Sequence, residues 1–308
     1  MKYLVFDTTN ILYKTFYVHK NEDADTVAGL ASHTALMTIN KYYKEFKPNK
    51  IILCMDRSNW RKDYTKSGQC FTPKVYKGHR RQNQTEKEKM RYEIFLEHIN
   101  DFEEMMDKHT SIITLAGEKL EADDLIAGVI QTVQAQAEHS HQDEFIIVSA
   151  DKDLIQLLGY PNVRLINPAT GKDRTLDEWN GDAELFMFEK CIRGDMGDNV
   201  QSALPRCRST RIQKAYTDPY EKANLMMETW TDQNSKEYRV KDLFEENKML
   251  MDLRCQPDNI QHSIVTTVLK GMDNPGTFSY FHFMRYCGKY QLKKLADQAD
   301  QLTQILNI

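Results

Sequence analysis

Three short apolar runs in this sequence each lead directly into an aspartate, and this pattern limits the possible folds more than any other feature. Tyr-Leu-Val-Phe precedes Asp7, Ile-Ile-Leu-Cys-Met precedes Asp56, and Phe-Ile-Ile-Val-Ser-Ala precedes Asp151. Short aliphatic runs are typical of strands that are buried on both faces of a parallel sheet. An aspartate after a single strand is commonly the N-cap of the next helix. Because the carboxyl ends of parallel strands lie side by side, all three together predict a shared crevice.

Helical patterns alternate with the apolar runs and complete the prediction of an α/β fold. Strands are predicted at residues 3–6, 51–55, 111–115 and 144–148, and helices at about 25–46, 83–106 and 121–137. This alternation indicates a mainly parallel central sheet flanked by helices. From about residue 182 onward the predicted strands stop and helical patterns take over. We therefore predict an α/β domain at residues 1–185 and a helical domain at residues 186–308.

The charge of the chain is distributed unevenly. Over 308 residues, 41 Lys and Arg stand against 45 Asp and Glu, and this net charge of −4 by itself argues against nucleic-acid binding. Residues 57–91, however, contain eleven basic residues and three acids, which gives this segment a net charge of +8. Five aromatic residues are interleaved with them: Trp60, Tyr64, Phe71, Tyr76 and Tyr92. The mixture suits phosphate contacts and base stacking, with a solvated charged surface as the alternative.

Neither a membrane span nor a disulfide framework is expected from this sequence. The longest aliphatic runs are far shorter than the ~20 apolar residues that a membrane span needs. Residues 1–10 carry Asp7 within their apolar run and do not resemble a signal peptide. The six cysteines show neither close pairing nor the spacing of a metal site, which is typical of reduced thiols in a cytosolic protein. We expect a cytoplasmic protein.

Further acidic clusters add to the three aspartates that follow the strands. Each cluster alone is an ordinary complement to the dipole of a helix N-terminus. The complete set has nine members: Asp7, Asp56, Glu121, Asp123, Asp124, Asp151, Asp153, Asp195 and Asp198. Two carboxylates ~6 Å apart repel each other by roughly 3 kcal/mol at an effective dielectric near 20. Nine carboxylates that converge on one crevice therefore require bound cations.

The chemistry of these side chains selects the kind of cation. Carboxylate oxygens without Cys or His suit Mg²⁺ or Mn²⁺ rather than zinc. Two such ions ~3.5–4 Å apart activate a water molecule and stabilise the leaving oxygen of a phosphodiester. The sequence shows no P-loop, Gly-x-Gly-x-x-Gly or Ser-His-Asp arrangement that would indicate another chemistry. Two-metal hydrolysis of a phosphodiester is the prediction that these residues favour.

Three stretches of the chain resemble the 5′-nuclease (flap endonuclease) superfamily, and within it the ribonuclease H type of T-even-like phages. They are Gly-Glu-Lys-Leu-Glu-Ala-Asp-Asp at 117–124, Val-Ser-Ala-Asp-Lys-Asp-Leu at 148–154 and Gly-Asp-Met-Gly-Asp-Asn at 194–199. The resemblance extends nearly from end to end of the chain. It implies a PIN-like nuclease domain, a helical arch over the active site at residues 57–91, and a C-terminal helical region that binds duplex.

The resemblance also implies roles for individual residues. Asp7, Asp56, Glu121 and Asp123 match the acids around a first metal, Asp151 lies close to both metals, and Asp153, Asp195 and Asp198 match the acids around a second metal. Asp124 takes the position of a catalytic residue that lies outside the metal-binding acids and assists them. Tyr-Lys-Gly-His-Arg at 76–80 is similar to the arch signature, which makes Lys77 and Arg80 candidates to hold the scissile phosphate.

Candidate nucleic-acid contacts come from the arch and from the region after Asp198. They are Tyr13, Arg57, Lys62, Tyr76, Arg81, Arg206, Arg208, Arg211 and Lys214. Core packing is the alternative for Tyr13, and a solvated basic loop is the alternative for the last four residues. Members of the superfamily usually continue here into a glycine-rich helix-turn-helix with a bound potassium ion. This chain has no Gly-x-Gly in that place, which weakens the case for a potassium site and makes its helix-turn-helix divergent.

These implications add up to one expected function. The chain is expected to be a Mg²⁺-dependent 5′→3′ exonuclease and flap endonuclease with ribonuclease H activity, which removes RNA primers and adjacent DNA from lagging-strand fragments. Its substrates would be DNA duplexes and RNA–DNA hybrids with a 5′ end or flap, and it would act as a monomer in an infected bacterial cell. Expected partners are a single-strand-binding protein and a sliding clamp. Residues 301–308 are either a clamp-binding peptide or a helix packed on the body.

Two other functions remain open on the sequence alone. A PIN-type RNA endonuclease shares the sheet and several acids, but it would lack the insertion at residues 57–91 and the helical region after Asp198. A catalytically silent DNA-binding module of the same fold is the second alternative. Such modules normally lose acids first, and none of the nine is missing here.

Overall fold

A six-stranded sheet lies at the centre of the computed structural model, which describes residues 1–72, 74–80, 82, 84–136 and 142–308. The strands are β1 (Lys2–Asp7), β2 (Lys50–Cys54), β3 (Ile113–Leu115), β4 (Glu144–Val148), β5 (Val163–Asn167) and β6 (Lys172–Asp173). Their order is β3-β2-β1-β4-β5-β6, and β6 alone of these six is antiparallel to its neighbour. Because the chain fills the sheet on one side of β1 and then on the other, the ends of β1 and β4 flank a topological switch point.

Helices surround this sheet and fill most of the second half of the chain. They are α1 (Thr8–Val18), α2 (Ala24–Phe46), α3 (Trp60–Lys66), α4 (Glu86–His109), α5 (Ala122–Gln136), α6 (Ala183–Arg193), α7 (Ser209–Thr217), α8 (Pro219–Met227), α9 (Val240–Met251), α10 (Asp258–Asp273), α11 (Tyr280–Lys289), α12 (Lys293–Asp297) and α13 (Ala299–Leu306). Local sequence sets the helix ends: Asp23 caps α2, and Thr85 with Glu88 forms a capping box at the start of α4. A hairpin of β7 (Thr229–Thr231) and β8 (Glu237–Arg239) precedes α9.

Alternate residues of each strand enter different hydrophobic layers. On β1, Leu4 and Phe6 face the layer that contains α1, α2, α4 and α11 to α13, whereas Tyr3 and Val5 face the layer that contains α5, α6, α9 and α10. Both faces of the sheet are covered, and the exposed fractions of Leu4, Val5 and Phe6 are all 0%. This burial explains why the strands read as continuous apolar runs.

The predicted fold class is confirmed, because a mainly parallel sheet flanked by helices is present. The strand at Glu144–Val148 has the predicted bounds, and the helix predicted at 25–46 begins one residue earlier. The prediction that strands stop at about residue 182 was wrong, since the β7–β8 hairpin lies beyond it. That hairpin is held by stacking of Trp230 on Tyr238, with ring centroids 4.9 Å apart. Strand β3 is equally short but lies in the apolar run at 111–115, whereas the two strands of the hairpin are mostly polar and exposed, so no apolar run marks them.

The helices after residue 185 cover both faces of the sheet. Helix α10 packs on α5 and β3, α11 packs on α4, and α13 packs on α2. The apolar side chains of the C-terminal tail are buried in this packing, including Leu302 and Leu306. This burial fits the packed-helix interpretation of residues 301–308. The division into domains at residue 185 stays a prediction, since the helices beyond it complete the core of the part before it.

The thiols and the helices carry no sign of cross-linking or of a membrane segment. All six cysteines are free, and four of them are buried. Within the described ranges, the chain has no helix whose length and apolar character would let it cross a membrane.

Replacement of Gly128 by alanine is expected to destabilise the protein, because α10 lies directly against this glycine of α5. A Cβ atom at position 128 would lie 2.2 Å from Cγ2 of Ile264, whereas a Cβ at Gly288 in α11 would meet no described atom within 4 Å. Overpacking costs about 1–3 kcal/mol, which outweighs the ~1 kcal/mol that alanine gains over glycine in a helix. Thermal unfolding should show a lower Tm for Gly128→Ala and an equal or higher Tm for the control Gly288→Ala. Equal effects of the two changes would show that α5 and α10 are not this close.

Candidate active site

A crevice of 1400 Å³ opens at the carboxyl ends of β1, β2 and β4. It is lined by all eight acids predicted as metal ligands, together with basic side chains from the segment after β2 and tyrosines of α1 and α4. The eight acids are Asp7, Asp56, Glu121, Asp123, Asp151, Asp153, Asp195 and Asp198. The structure thus brings the predicted set into one place. Metal binding by each of these residues stays a prediction.

Backbone and hydroxyl groups hold the acids that follow β1 and β2. Asp7 ends β1 and caps α1, and it accepts hydrogen bonds from Asn10 N at 3.2 Å and from Ser149 Oγ at 2.7 Å. Asp56 follows β2 and accepts a hydrogen bond of 2.7 Å from Ala122 N at the start of α5. The first turn of α5 therefore carries Glu121 and Asp123 to the ends of the two strands.

Crowding and removal of water raise the pKa of several of these carboxyl groups. Burial and the neighbouring Asp56 raise the pKa of Asp7 to about 7. Loss of hydration and the neighbouring charge of Glu121 raise the pKa of Asp56 to about 6. Burial together with Asp151 and Asp7 raises the pKa of Asp123 well above its ordinary value. In the metal-free protein, these groups are ionised only at an energetic cost.

Two lysines bridge the remaining acids. Lys77 Nζ lies 2.5 Å from Glu121 Oε1 and 3.5 Å from Asp198 Oδ2. Lys190 Nζ donates to Asp153 and, at 3.0 Å, to Asp195 Oδ2. The sequence analysis missed Lys190. The residue lies five positions before Asp195, but α6 ends at Arg193, between the two, so helical spacing does not connect them.

The acids are the right donors for hard divalent cations, but the lysines hold several of them in this conformation. Among the described residues, no three Asp, Glu, His or Cys side chains are arranged so as to hold an ion as they stand. The oxygen-only set still fits Mg²⁺ or Mn²⁺, and neighbouring carboxylates add to burial in raising the pKa of Asp7 and of Asp123, an effect that a bound cation would oppose.

Asp124 lies behind the crevice rather than in it. Its side chain is fully buried and faces Arg61, whose guanidinium donates to both of its oxygens at 2.7 and 2.9 Å. Although burial opposes ionisation, Arg61 holds the pKa of Asp124 below its ordinary value. Arg61 also donates to Glu121 at 2.9 Å. Asp124, predicted as a catalytic helper, therefore contacts the acid cluster through Arg61 and through a hydrogen bond of 3.1 Å from Glu121 N.

Residues 75–80 lie across the acids near Asp198. Tyr76, predicted as a nucleic-acid contact, is only 5% exposed and donates its hydroxyl to Asp198 Oδ2 at 2.6 Å. Arg80, which was predicted to hold the phosphate, donates to Asp198 Oδ1 at 2.6 Å and is half exposed. The buried Glu246 of α9 fixes the start of this segment by accepting hydrogen bonds from Phe71 N and Thr72 N at 2.9 and 3.2 Å. Tyr76 thus supports an acid instead of facing solvent.

The other predicted nucleic-acid contacts divide into two groups. Tyr13, Arg57 and Lys62 line the crevice; Tyr13 stacks on Tyr17 and Tyr92, and Arg57 pairs with Glu103. The second group is exposed, lies in and just before α7, and consists of Arg206, Arg208, Arg211 and Lys214. None of the four is among the described residues that line the crevice. Of these, Arg211 pairs with Glu228, and Lys214 pairs with Glu221 at 2.6 Å. Arg81 lies outside the described residues.

Asp123→Asn and Asp124→Asn replace adjacent residues and are expected to change the stability of the metal-free protein in opposite directions. Asp123→Asn removes one crowded carboxylate and should raise the free energy of unfolding by about 1–3 kcal/mol. The upper value equals the repulsion between two carboxylates ~6 Å apart at an effective dielectric near 20. Asp124→Asn leaves the buried Arg61 with Glu121 as its remaining charged partner and should lower the free energy of unfolding by about 3 kcal/mol. Urea unfolding in EDTA measures both changes.

Glu118→Gln is the control for these two changes, because Glu118 is an exposed acid in the loop just before the same helix. It should change the free energy of unfolding by less than about 0.5 kcal/mol. A loss of stability in Asp123→Asn would contradict the assignment of Asp123 to a crowded acid cluster.

Comparisons with known proteins point to the same family. Residues 2–185 match the family model described as "5'-3' exonuclease, N-terminal resolvase-like domain". Ribonuclease H of Enterobacteria phage T4 is 25% identical over 281 residues, which span 85% of this chain and 84% of that protein.

Solved structures of a phage T5 enzyme share the fold. One, crystallised with metal ions, has a TM-score of 0.64 at 18% identity and covers 88% of this chain and 99% of its own. Another is a flap endonuclease pseudo-enzyme-product complex with DNA and metal ions. It has a TM-score of 0.63 at 18% identity and covers 89% of this chain and 100% of its own. The family model spans more than half of the chain and contains the whole six-stranded sheet. The chain therefore belongs to the 5′-3′ exonuclease family and is a nuclease, a hydrolase of phosphodiester bonds.

Proposed function

We propose that this nuclease is a Mg²⁺-dependent 5′→3′ exonuclease and flap endonuclease with ribonuclease H activity, which removes RNA primers and adjacent DNA from lagging-strand fragments. One observation carries the proposal: the eight predicted acids, which offer only oxygen donors, line a single crevice beside a strongly basic segment. The phage T4 relative is a ribonuclease H, and the T5 neighbour is a flap endonuclease solved with DNA. These likenesses support the same class of substrate for this chain.

We further propose that two divalent cations occupy the crevice, with Mn²⁺ as a substitute for Mg²⁺. Asp7, Asp56, Glu121 and Asp123 would hold the first ion, Asp153, Asp195 and Asp198 the second, and Asp151 would lie near both. Bound cations supply an activated water molecule and stabilise the leaving oxygen. Structures of the T5 enzyme with metal ions, including zinc, support a metal requirement. We propose no potassium site.

The basic residues of the crevice have a clear role in this proposal. In this structure Lys77 contacts Glu121 and Arg80 contacts Asp198, so their charges lie where a scissile phosphate would enter. Once cations neutralise the acids, both side chains are available to hold that phosphate and to offset its developing negative charge. Tyr13, Arg57 and Lys62, on the wall of the same crevice, would position the 5′ end.

Substrate duplex would extend from the crevice toward α7. Arg206, Arg208, Arg211 and Lys214 are exposed there and suit contacts with phosphates. We propose that residues 186–308 form the duplex-binding region of a monomer that works in the cytoplasm of an infected bacterium. A single-strand-binding protein and a sliding clamp are its proposed partners. The burial of Ile305 and Leu306 argues against residues 301–308 as the clamp-binding peptide.

Cleavage of 5′-labelled nicked, flapped and primer-bearing duplexes tests the proposal. With Mg²⁺, short oligonucleotides with 5′-phosphates should be released from both RNA–DNA and DNA–DNA substrates, and EDTA should stop the reaction. Asp151→Asn should slow cleavage by at least about 100-fold, because it removes a charge that both cations need. Asp300→Asn, an exposed acid in α13, serves as the matched control and should leave the rate unchanged.

Each part of the proposal can fail separately in this assay. Cleavage in EDTA would contradict the metal requirement, and Mg²⁺-dependent cleavage by Asp151→Asn at the control rate would contradict the assignment of the site. Cleavage only of single-stranded RNA would favour a PIN-type RNA endonuclease instead.

A further inference from the structure

Lys190 is a largely enclosed cation at the edge of the acid cluster. It lies on α6, its side chain is 11% exposed, and its ammonium group donates to Asp153 and Asp195 at once. Asp195 reaches it because the chain reverses at Gly194, whose φ is +66°. A Cβ at Gly194 would lie 2.6 Å from Val200 O, so this return of the chain requires glycine. The bridge is therefore built by the backbone and is not a chance surface contact.

The position of Lys190 differs from that of a residue that docks a duplex. Lys77 lies on the segment that crosses the crevice and lines the crevice, and its side chain is 23% exposed. Lys190, by contrast, is not among the described residues that line the crevice and approaches the acids from behind. An ammonium group is a compact charge with three donors on a flexible stem, so it can substitute for a cation between two carboxylates and can also withdraw.

We propose that Lys190 is the resident counter-ion of Asp153 and Asp195 and that a divalent cation binds to this acid pair only when the Lys190 ammonium moves aside. The inference rests on the metal-dependent function proposed above and adds a residue that sets the affinity of the second cation. Lys190 acts as a positioning residue in this account: it keeps the two acids together in the metal-free protein and competes with the ion that replaces it.

Titration of the metal-free full-length chain with Mn²⁺, in the absence of nucleic acid, tests this competition. Free Mn²⁺ is counted by electron paramagnetic resonance. Lys190→Gln should bind one of two ions at least about tenfold more tightly and leave the other unchanged, because a charge that repels the ion at close range is removed. The same variant should have a lower Tm than the unsubstituted protein in EDTA, and saturating Mn²⁺ should restore most of the difference.

Two further variants separate competition from a general effect of charge. Lys152→Gln removes an exposed lysine that lies between Asp151 and Asp153 in the sequence, and it should change Mn²⁺ affinity by less than about threefold because solvent screens this charge. Lys190→Arg keeps the charge and should keep an affinity close to that of the unsubstituted protein. Equal tightening by Lys190→Gln and Lys152→Gln would contradict direct competition.

The remaining outcomes also decide the question. Unchanged Mn²⁺ affinity in Lys190→Gln, together with two bound ions in the unsubstituted protein, would overturn the inference and leave the proposed function intact. Failure of the unsubstituted protein to bind two ions would overturn the proposed function itself. If Lys190→Gln folds only with Mn²⁺ present, the counter-ion role is supported, and a variant that stays unfolded at saturating Mn²⁺ would contradict it.

Discussion

Mutual repulsion of carboxylates at one edge of a parallel sheet is the constraint on which the rest of this structure depends. The strand order places Asp7, Asp56 and Asp151 together, and the first turn of α5 adds Glu121 and Asp123. Without bound cations a cluster of this kind destabilises the fold, and the two-cation reaction proposed above would explain why the cost is retained. Cations of the chain offset part of the repulsion from three directions: Arg61, Lys77 and Lys190.

The acids of the crevice could be predicted from the sequence because strand ends and helix starts are local patterns. Their partners could not, since Arg61 contacts Asp124 across 63 positions and Lys190 contacts Asp153 across 37. Adjacent residues of a helix also point about 100° apart, so Asp123 faces the crevice while Asp124 faces Arg61. A run of acids in a sequence does not show which member is turned inward. The basic segment likewise gives no sign that its Tyr76 is buried.

Net charge was misleading because two opposite regions cancel each other. The segment at 57–91 carries +8 in a chain whose total is −4. In the fold this segment is fixed at two places: Glu246 accepts hydrogen bonds from Phe71 N and Thr72 N, and Asp198 accepts one from the hydroxyl of Tyr76. Helix α9, which supplies Glu246, packs on α6, and α10 packs on α5 and β3, so helices beyond residue 185 contact both the basic segment and the layer that covers the sheet. This coupling could not be seen in composition or periodicity.

Crystals of the protein soaked in Mn²⁺ would test the central claim most directly, by anomalous scattering at the manganese edge. The account predicts two peaks in the crevice, about 3.5–4 Å apart, with the Lys190 ammonium displaced from Asp153 and Asp195. No peak among the eight carboxylates, or manganese only elsewhere on the surface, would contradict a two-cation active site in this chain.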